Sequence, residues 1–200
     1  MTDKQYYKER FNLQLRELSR FPVWTRDQIK VYLHLSNDTL INLEKENIIY
    51  KFNISRCTFY SIKNKKYTNN IIIKSILEID SYYRVHYDEI ANFRFDDKLE
   101  DKSLISRNVK KIGTNEKIDY FSIFNINPET KFEKIIDLMI DIENLNDKPC
   151  LIMIYVYNVD KQKLTDYIEE NYKIIPYLME GRLEYLIIEC DYPHFKYLQL

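Results

Sequence analysis

The sequence predicts a protein of mixed α+β or α/β class, in which a helical module with a β-hairpin precedes a small α/β domain with a mostly parallel mixed sheet. Three observations predict it. Residues 1–67 follow the order helix, helix, turn, helix, hairpin. Strands and helices alternate from residue 117 onward. Charge divides as well, because residues 1–67 carry a net charge of +6 and residues 68–200 carry −7. We therefore predict two domains, 1–67 and 68–200.

The first two helices follow from apolar spacing and from punctuation by proline and threonine. Apolar residues at intervals of three to four predict a helix over residues 4–20. Phe21-Pro22 is expected to end it, because proline disfavours helix in the residue before it. Thr25 is a favourable N-cap, so a second helix is predicted from Arg26 to about Leu33.

A third helix and a hairpin are expected next. After the short turn His34-Leu35, Ser36 is the N-cap candidate of a helix that runs from Asn37 to about Glu46. Asn47 stands where helices often stop in a left-handed residue. Two β-rich runs, 48–52 and 56–62, then surround the polar residues 53–55, which predicts a hairpin with its turn there.

The second domain has a clear pattern only in its later part. A fourth helix is predicted over about 71–83, and residues 84–117 are expected to form short edge strands or loops. Further strands are predicted at 118–126, 151–157, 172–178 and 183–190. Helices are predicted at about 129–143, where Asn127-Pro128 provides a start signal, and at about 161–172. Parallel strands joined by crossover helices are the expected arrangement.

The stretch TRDQIKVYLHLSNDTLINLEKENIIYKFN resembles the winged helix-turn-helix family. It has a Thr-x-x-Gln-Ile opening, a Ser-x-x-Thr-Leu start to the third helix and a Leu-Glu-Lys-x-x-Ile-Ile run into the hairpin. In this family the third helix enters the DNA major groove while the hairpin, called the wing, contacts phosphate or the minor groove. The resemblance covers about a third of the chain and implies binding to double-stranded DNA.

Candidate DNA contacts follow from that resemblance and from the distribution of charge. Asparagine can bind adenine edges, and threonine can contact a thymine methyl or a phosphate. Residues 50–75 contain six cations and no carboxylate, which suits contacts to phosphate. The predicted DNA-binding residues are Arg26, Ser36, Asn37, Thr39, Asn42, Lys45, Lys51, Arg56, Lys63, Lys65 and Lys66.

Two features favour a different use of the same module. The third helix also carries Asp38, Glu44 and Glu46, which would repel phosphate if they faced it. Winged helices also serve as protein-docking modules, so a docking scaffold stays open as an alternative.

A homodimer is expected if DNA is the partner, because one winged-helix module makes few base contacts. The second domain could contact a protein partner, through a strand edge or the aromatic residues 192–197.

Catalytic and metal-binding patterns are scarce. The three histidines lack metal-ligand spacing, and two glycines cannot build a phosphate-binding loop. Asp119, Glu129 and Lys131 loosely fit the D…ExK pattern of metal-dependent nucleases, which stays open as a second alternative. Pro128, however, favours placing Glu129 in the first turn of a helix, whereas ExK belongs on a strand. We predict no enzymatic activity, no catalytic residue, no metal and no cofactor.

The chain also resembles the replication-relaxation proteins of bacterial plasmids and conjugative elements. The resemblance rests on the winged-helix text and on IDYFSIFNINPETKFEKIIDLM. This sequence keeps the family's first acid as Asp119 but has Asn125 and Asn127 where acids are common, which implies a core that does not cut. A role in plasmid replication, mobilisation or transcriptional regulation is the resulting expectation.

The cellular setting is predicted from what the sequence lacks. Cys57, Cys150 and Cys190 are far apart and odd in number, which fits no disulfide framework. The residues 1–10 have no apolar signal segment, and no apolar run is long enough to cross a bilayer. A cytoplasmic protein of a bacterium or a mobile element, without a membrane partner, is the expectation.

Overall fold

The computed structural model describes residues 2–85, 90–94, 105–112, 116–125, 131–145, 149–190 and 198. It is a mixed α and β protein with a three-stranded sheet and a five-stranded sheet. The chain forms two compact units, the first made of Met1–Tyr83 with Tyr192–Leu200 and the second of Arg84–Asp191. The boundary that the charge pattern predicts, near residue 67, lies earlier in the chain.

The first helical segment consists of two helices, α1 (Asp3–Arg10) and α2 (Asn12–Leu18). The prediction of one helix over 4–20 is therefore wrong. The chain leaves helical geometry at Phe11 (φ −111°, ψ 26°), and α1 buries no residue that could hold a longer helix in place. Helix α2 ends at Leu18, before Phe21-Pro22. The Trp24 indole N–H donates to the carbonyl of Leu18 at 3.1 Å and so satisfies a group that the helix end leaves without a partner.

Two predicted helices are confirmed with their caps. Strand β1 (Trp24–Thr25) leads into α3 (Arg26–Leu33), and a short turn leads to α4 (Asn37–Lys45). The Thr25 hydroxyl accepts from the N–H of Gln28 while the Gln28 side chain accepts from the N–H of Thr25. This reciprocal pair satisfies two amide groups that α3 itself leaves without a partner.

The predicted hairpin is confirmed, but its turn lies further along the chain. Strands β2 (Tyr50–Ile54) and β3 (Cys57–Ser61) pair antiparallel, and the sheet order is β1-β3-β2. The predicted turn at 53–55 is wrong, because Asn53 pairs with Thr58 and accepts a hydrogen bond of 2.9 Å from its hydroxyl. Ser55 (φ 53°) begins the two-residue turn, with the positive φ that tight hairpin turns require.

Helix α5 (Asn69–Val85) completes the first unit and is slightly longer than predicted. It buries Ile72, Ile73, Ile76 and Leu77 completely. Further along α5, Gln28 donates to the Asp80 carboxylate at 2.9 Å, so α3 and α5 are joined by a buried polar contact. The Asn69 side chain donates to the carbonyl of Leu198 at 2.7 Å, and Leu198 is fully buried.

The second unit contains a five-stranded sheet of order β4-β5-β6-β7-β8. Its strands are β4 (Ile90–Arg94), β5 (Ile105–Ile112), β6 (Glu116–Asn125), β7 (Cys150–Val156) and β8 (Leu183–Glu189). Pairs β4–β5 and β5–β6 are antiparallel, whereas β6–β7 and β7–β8 are parallel. The expected mixed sheet is confirmed, but half of its pairings in the described strands are antiparallel. The expectation of edge strands or loops over 84–117 is wrong for β5, which lies inside the sheet.

Two helices cover one face of this sheet. Helix α6 (Phe132–Leu145) connects β6 to β7, and α7 (Lys161–Asn171) connects β7 to β8. Their buried apolar residues form one cluster with alternate residues of the strands, such as Ile152, Ile154 and Leu183. Alternate residues share a sheet face, so both helices lie on the same side. The predicted Asn127-Pro128 start and Glu129 fall outside the described residues.

The strand predicted at 172–178 is wrong. Tyr172–Ile174 is a 3-10 turn, and Pro176–Met179 forms the short helix α8. Pro176 explains the difference, because proline suits the first helical turn and cannot donate a hydrogen bond to a sheet. The strand predicted at 183–190 is confirmed as β8, and the turn residue Gly181 before it has φ 68°.

Candidate nucleic-acid interface

Helices α3 and α4 of the first unit meet at a tight corner. Only His34, Leu35 and Ser36 separate them. His34 adopts the left-handed conformation (φ 55°) that ends α3, and the Leu35 side chain is buried. Because both ends of this turn are fixed by local geometry, the direction of α4 relative to α3 is determined by the turn and by the core beneath it.

Helix α4 has a buried face and an outward face. Leu40 and Leu43 point into the core and are 2% and 0% exposed. The outward face consists of Asn37, Asp38, Ile41, Asn42 and Lys45, of which Asn42 is half-buried and the others are exposed. This face offers two amides for hydrogen bonding, one cation and one carboxylate, so its charges cancel.

Ser36 and Thr39 serve the start of α4. The Ser36 hydroxyl accepts from the N–H of Thr39 at 3.2 Å, and the two hydroxyl oxygens are 2.9 Å apart. An N-cap contact of this kind stabilises a helix by about 1 kcal/mol. Ser36 is exposed and Thr39 is half-buried. Their side chains therefore position the outward face of α4.

Arg26 and Lys51 are each related to Tyr60, one through its charge and the other through strand pairing. Lys51 pairs with Tyr60 across β2 and β3, so their side chains share one face of the hairpin. Burial raises the pKa of Tyr60, the Glu44 carboxylate adds to the rise, and the Arg26 guanidinium opposes it. Arg26 and Glu44 thus act on the same hydroxyl, and the structure brings residues of α3, α4 and the hairpin together here.

The other predicted cations lie in the hairpin turn or in the segment that follows β3. Arg56 is exposed in the turn between β2 and β3. Tyr67 stacks on Phe52 with ring centroids 5.8 Å apart, and the Lys65 ammonium lies 5.0 Å from the Tyr67 ring centroid. Lys51 and Phe52 are neighbours in β2, so their side chains point to opposite faces of the hairpin. Lys65 lies over the ring that stacks on Phe52, so it is on the side opposite Lys51.

Lys63 and Lys66 are exposed in the same segment as Lys65, which follows β3. These three lysines lie past the end of β3 that is distant from the hairpin turn, because Ser61 pairs with Tyr50 at the far end of the ladder. The predicted cations therefore form two groups. One lies beside α4 and the hairpin, and the other follows β3.

The acidic residues of α4 do not occupy its whole outward face. Asp38 is exposed on that face, whereas Glu44 and Glu46 are half-buried. The Glu44 carboxylate contributes to the raised pKa of Tyr60, so its charge acts on that hydroxyl. Asp38 is therefore the carboxylate that opposes an anionic ligand most directly.

Sequence reasoning missed two features of this unit. Val31 on α3 and Ile41 on α4 are apolar yet 60% and 48% exposed. Arg20 lines a cavity together with Lys63 and Lys65. The antiparallel pairing of β1 with β3 brings the lining segments side by side, and a sequence pattern does not reveal which strands pair. Lys74, by contrast, is 3.7 Å from the Glu78 carboxylate and is already engaged.

The nuclease alternative gains no support from the described residues. Asp119 lies in β6, Lys131 is exposed just before α6, and Glu129 falls outside the described part of the chain. Within the described residues, no three His, Cys, Asp or Glu side chains are grouped so that they could hold a metal ion. Cys57, Cys150 and Cys190 are all buried free thiols, and burial raises the pKa of the Cys57 thiol.

Among the helices in the described ranges, none is both long enough and apolar enough to cross a membrane. No protein-family model matches this chain, and no curated protein matches its sequence.

Proposed function

We propose that the first unit is a winged helix-turn-helix that binds double-stranded DNA through the outward face of α4. The observation that carries the proposal is the tight, capped α3–α4 corner next to an antiparallel hairpin, with two asparagines on the outward face of the second helix. Helices of this arrangement enter the major groove, where their amino-terminal residues reach base edges.

Asn37 and Asn42 are the proposed base-reading residues. An asparagine amide can donate to and accept from the adenine edge at the same time, which gives sequence discrimination. Asn37 is the first residue of α4, and Asn42 lies on the outward face more than one turn later. Their spacing suits contact with neighbouring base pairs along one groove.

Phosphate contacts are assigned to four cations on the α4 side of the unit. These residues are Arg26, Lys45, Lys51 and Arg56, and all four are exposed. They fix the position of the module on the duplex and supply affinity without reading sequence. The positive net charge of residues 1–67 supports this assignment, since it favours approach to a polyanion.

A non-enzymatic role in plasmid replication or mobilisation, or in transcriptional regulation, is the biological setting that we infer. It rests on the resemblance in the sequence. The protein would act as a homodimer on paired half-sites, because a single short helix reads few base pairs. The second unit would then supply dimerisation or a partner contact.

A protein-docking scaffold is the second candidate, and one observation favours it. Val31 and Ile41 expose apolar side chains on the two helices of the corner. Exposed apolar side chains near the centre of a binding face are typical of protein interfaces. Ile41→Ser distinguishes the candidates, since it should abolish docking to a protein but leave phosphate contacts to DNA intact.

The test is a binding titration with duplex DNA from the protein's own locus, between about 50 and 200 mM salt. Four phosphate contacts predict a slope of about −3.6 in log affinity against log salt, which is roughly a hundredfold loss over that range. Lys45→Gln should flatten the slope by about 0.9 for every sequence. Asn42→Ala should instead reduce the difference between preferred and random duplexes.

Lys173→Gln is the matched control, because Lys173 is an exposed lysine of the second unit. It should bind as the unchanged protein does. The proposal is wrong if no duplex binds, or if Lys45→Gln and Asn42→Ala both leave affinity, salt slope and discrimination unchanged.

A further inference from the structure

A cavity of about 190 Å³ opens in the first unit between two segments that are distant in the sequence. One segment precedes β1 and contains Arg20 and Phe21, and the other runs from the end of β3 to Tyr67. Trp24 pairs with Tyr60, so the residues before β1 and after β3 lie side by side. The pairing of β1 with β3 therefore brings the two segments that line the cavity together.

The lining of this cavity is positively charged and contains no carboxylate. Arg20, Lys63 and Lys65 contribute the cations. Arg20 is held in place, because its Nε is 3.1 Å from the Glu17 carboxylate and its guanidinium donates to the Tyr82 hydroxyl at 2.9 Å. Within the described residues, neither lysine forms an ion pair, so no carboxylate in that part of the chain neutralises their charges.

The lysines stand on a segment that hydrogen bonds hold in shape. The Ser61 hydroxyl is 2.7 Å from the Tyr67 hydroxyl and accepts from the N–H of Lys63 at 3.1 Å. The N–H of Lys65 donates to the carbonyl of Lys63 at 3.0 Å. A segment fixed in this way brings its cations to a ligand at a smaller entropic cost than a free loop does.

The size of the cavity restricts its ligand. Pockets for drug-sized molecules measure roughly 300–1,000 Å³. The volume found here accommodates several waters, each of which occupies about 30 Å³ in the liquid. A tetrahedral oxyanion with part of its hydration fits this space. The aromatic side chains of Phe21 and Tyr67 enclose the sides.

We propose that this cavity binds a phosphate group, with Lys63 and Lys65 as its direct contacts and Arg20 as the fixed cation behind them. Charge-assisted hydrogen bonds from ammonium groups to phosphate oxygens are short and strong. The phosphate can belong to the backbone of a bound duplex or to a free phosphorylated small molecule. Both sources present the same chemistry to the cavity.

The direct test is a titration of the full chain with inorganic phosphate, followed through the backbone amide signals in NMR at constant ionic strength, with chloride as the comparison anion. Saturable shifts are expected for residues 19–21 and 61–67 and not elsewhere. The double variant Lys63→Gln/Lys65→Gln should bind phosphate about tenfold more weakly or worse. Lys66→Gln is the control, since Lys66 is exposed in the same segment but does not line the cavity.

Shifts that are spread over the surface, or equal affinities of the double variant and the control, would overturn the proposal. Duplex binding then identifies the source of the phosphate. If the backbone supplies it, the two lysines add to the four contacts on the α4 side, so the unchanged protein has a slope of about −5.4 and the double variant flattens it by about 1.8. If the slope is unchanged while the probe glycerol 3-phosphate binds in the cavity, a free phosphorylated molecule supplies it. Phosphate binding in the cavity does not depend on Asn42 or Lys45, since neither residue lines it. A failure of the proposed DNA binding through α4 can therefore be distinguished from a failure of the phosphate site.

Discussion

The outward face of α4 and the segment that follows β3 are both polar, but they differ in how their charges are balanced. On α4, Asp38 and Lys45 offset one another and amides lie between them. In the segment after β3, Lys63 and Lys65 have no acidic neighbour in the cavity lining. The first surface suits the recognition of shape and hydrogen-bonding pattern, and the second suits the recognition of negative charge alone.

This difference shows that a net charge does not define a binding surface. The cations behind the net charge of +6 in residues 1–67 lie in separate places, with Lys51 on β2 and Lys63 and Lys65 in the segment after β3. Variants that alter one surface at a time can therefore separate sequence reading from phosphate binding.

The largest effect is expected from Leu43→Ala, which removes a fully buried side chain from the inner face of α4. Loss of such a leucine lowers the free energy of unfolding by roughly 2–5 kcal/mol, because apolar contacts are lost and a cavity remains. Urea unfolding measures the change, and duplex binding should weaken with it. Ile152→Val, a smaller change in the fully buried core of the second unit, should cost about 0.5–1.5 kcal/mol and leave duplex binding intact.

Ser36→Ala should have an intermediate effect that is confined to α4. The substitution removes the acceptor for the N–H of Thr39, which costs about 1 kcal/mol of stability and loosens the first turn of the helix. Amide hydrogen exchange should speed up for residues 37–39. Phosphate binding in the cavity should be unchanged, and a parallel loss there would mean that the two surfaces are coupled. Thr165→Ala, in an exposed turn of α7, is the control.

The smallest effect is expected from Asp38→Asn, which makes the α4 face more like the segment after β3. Removing an exposed charge that repels phosphate is worth about 0.2–1 kcal/mol, so duplex affinity should rise by a factor of roughly 1.4 to 5 at low salt. Asp166→Asn, an exposed carboxylate of the second unit, should have no such effect. Weaker duplex binding after Asp38→Asn would contradict this prediction and would indicate that the carboxylate makes a favourable contact with the duplex.

Local signals in the sequence predicted the helices of the first unit well. Thr25 and Ser36 were identified as caps because their hydroxyls act on amides two or three residues away, which is a property of the sequence itself. The break at Phe11 was missed, because the apolar spacing that predicts a helix continues across it, whereas α1 itself buries no residue. The hairpin turn was misplaced because serine at positive φ is uncommon and leaves a weak signal.

Long-range pairing was the part that the sequence could not predict. Strand β5 pairs with β6 along all eight residues and with β4 through residues 107–110, yet its charged and apolar residues resemble those of a loop. In the candidate site, exposure of the α4 residues followed from helical spacing, whereas the separation of Lys51 from Lys65 depends on strand register and on the packing of Tyr67. The cavity depends on the same register and left no pattern in the sequence.

The return of the chain to the first unit near its last residues has a practical consequence. Leu198 is fully buried there, and its carbonyl accepts a hydrogen bond from Asn69, so the first unit is assembled from two stretches separated by the whole second unit. The second unit is therefore an insertion. A truncated protein that stops after Tyr83 lacks this closing contact, and a bulky fusion tag attached beside Leu198 acts on the fold of the proposed DNA-binding unit rather than on that of its neighbour.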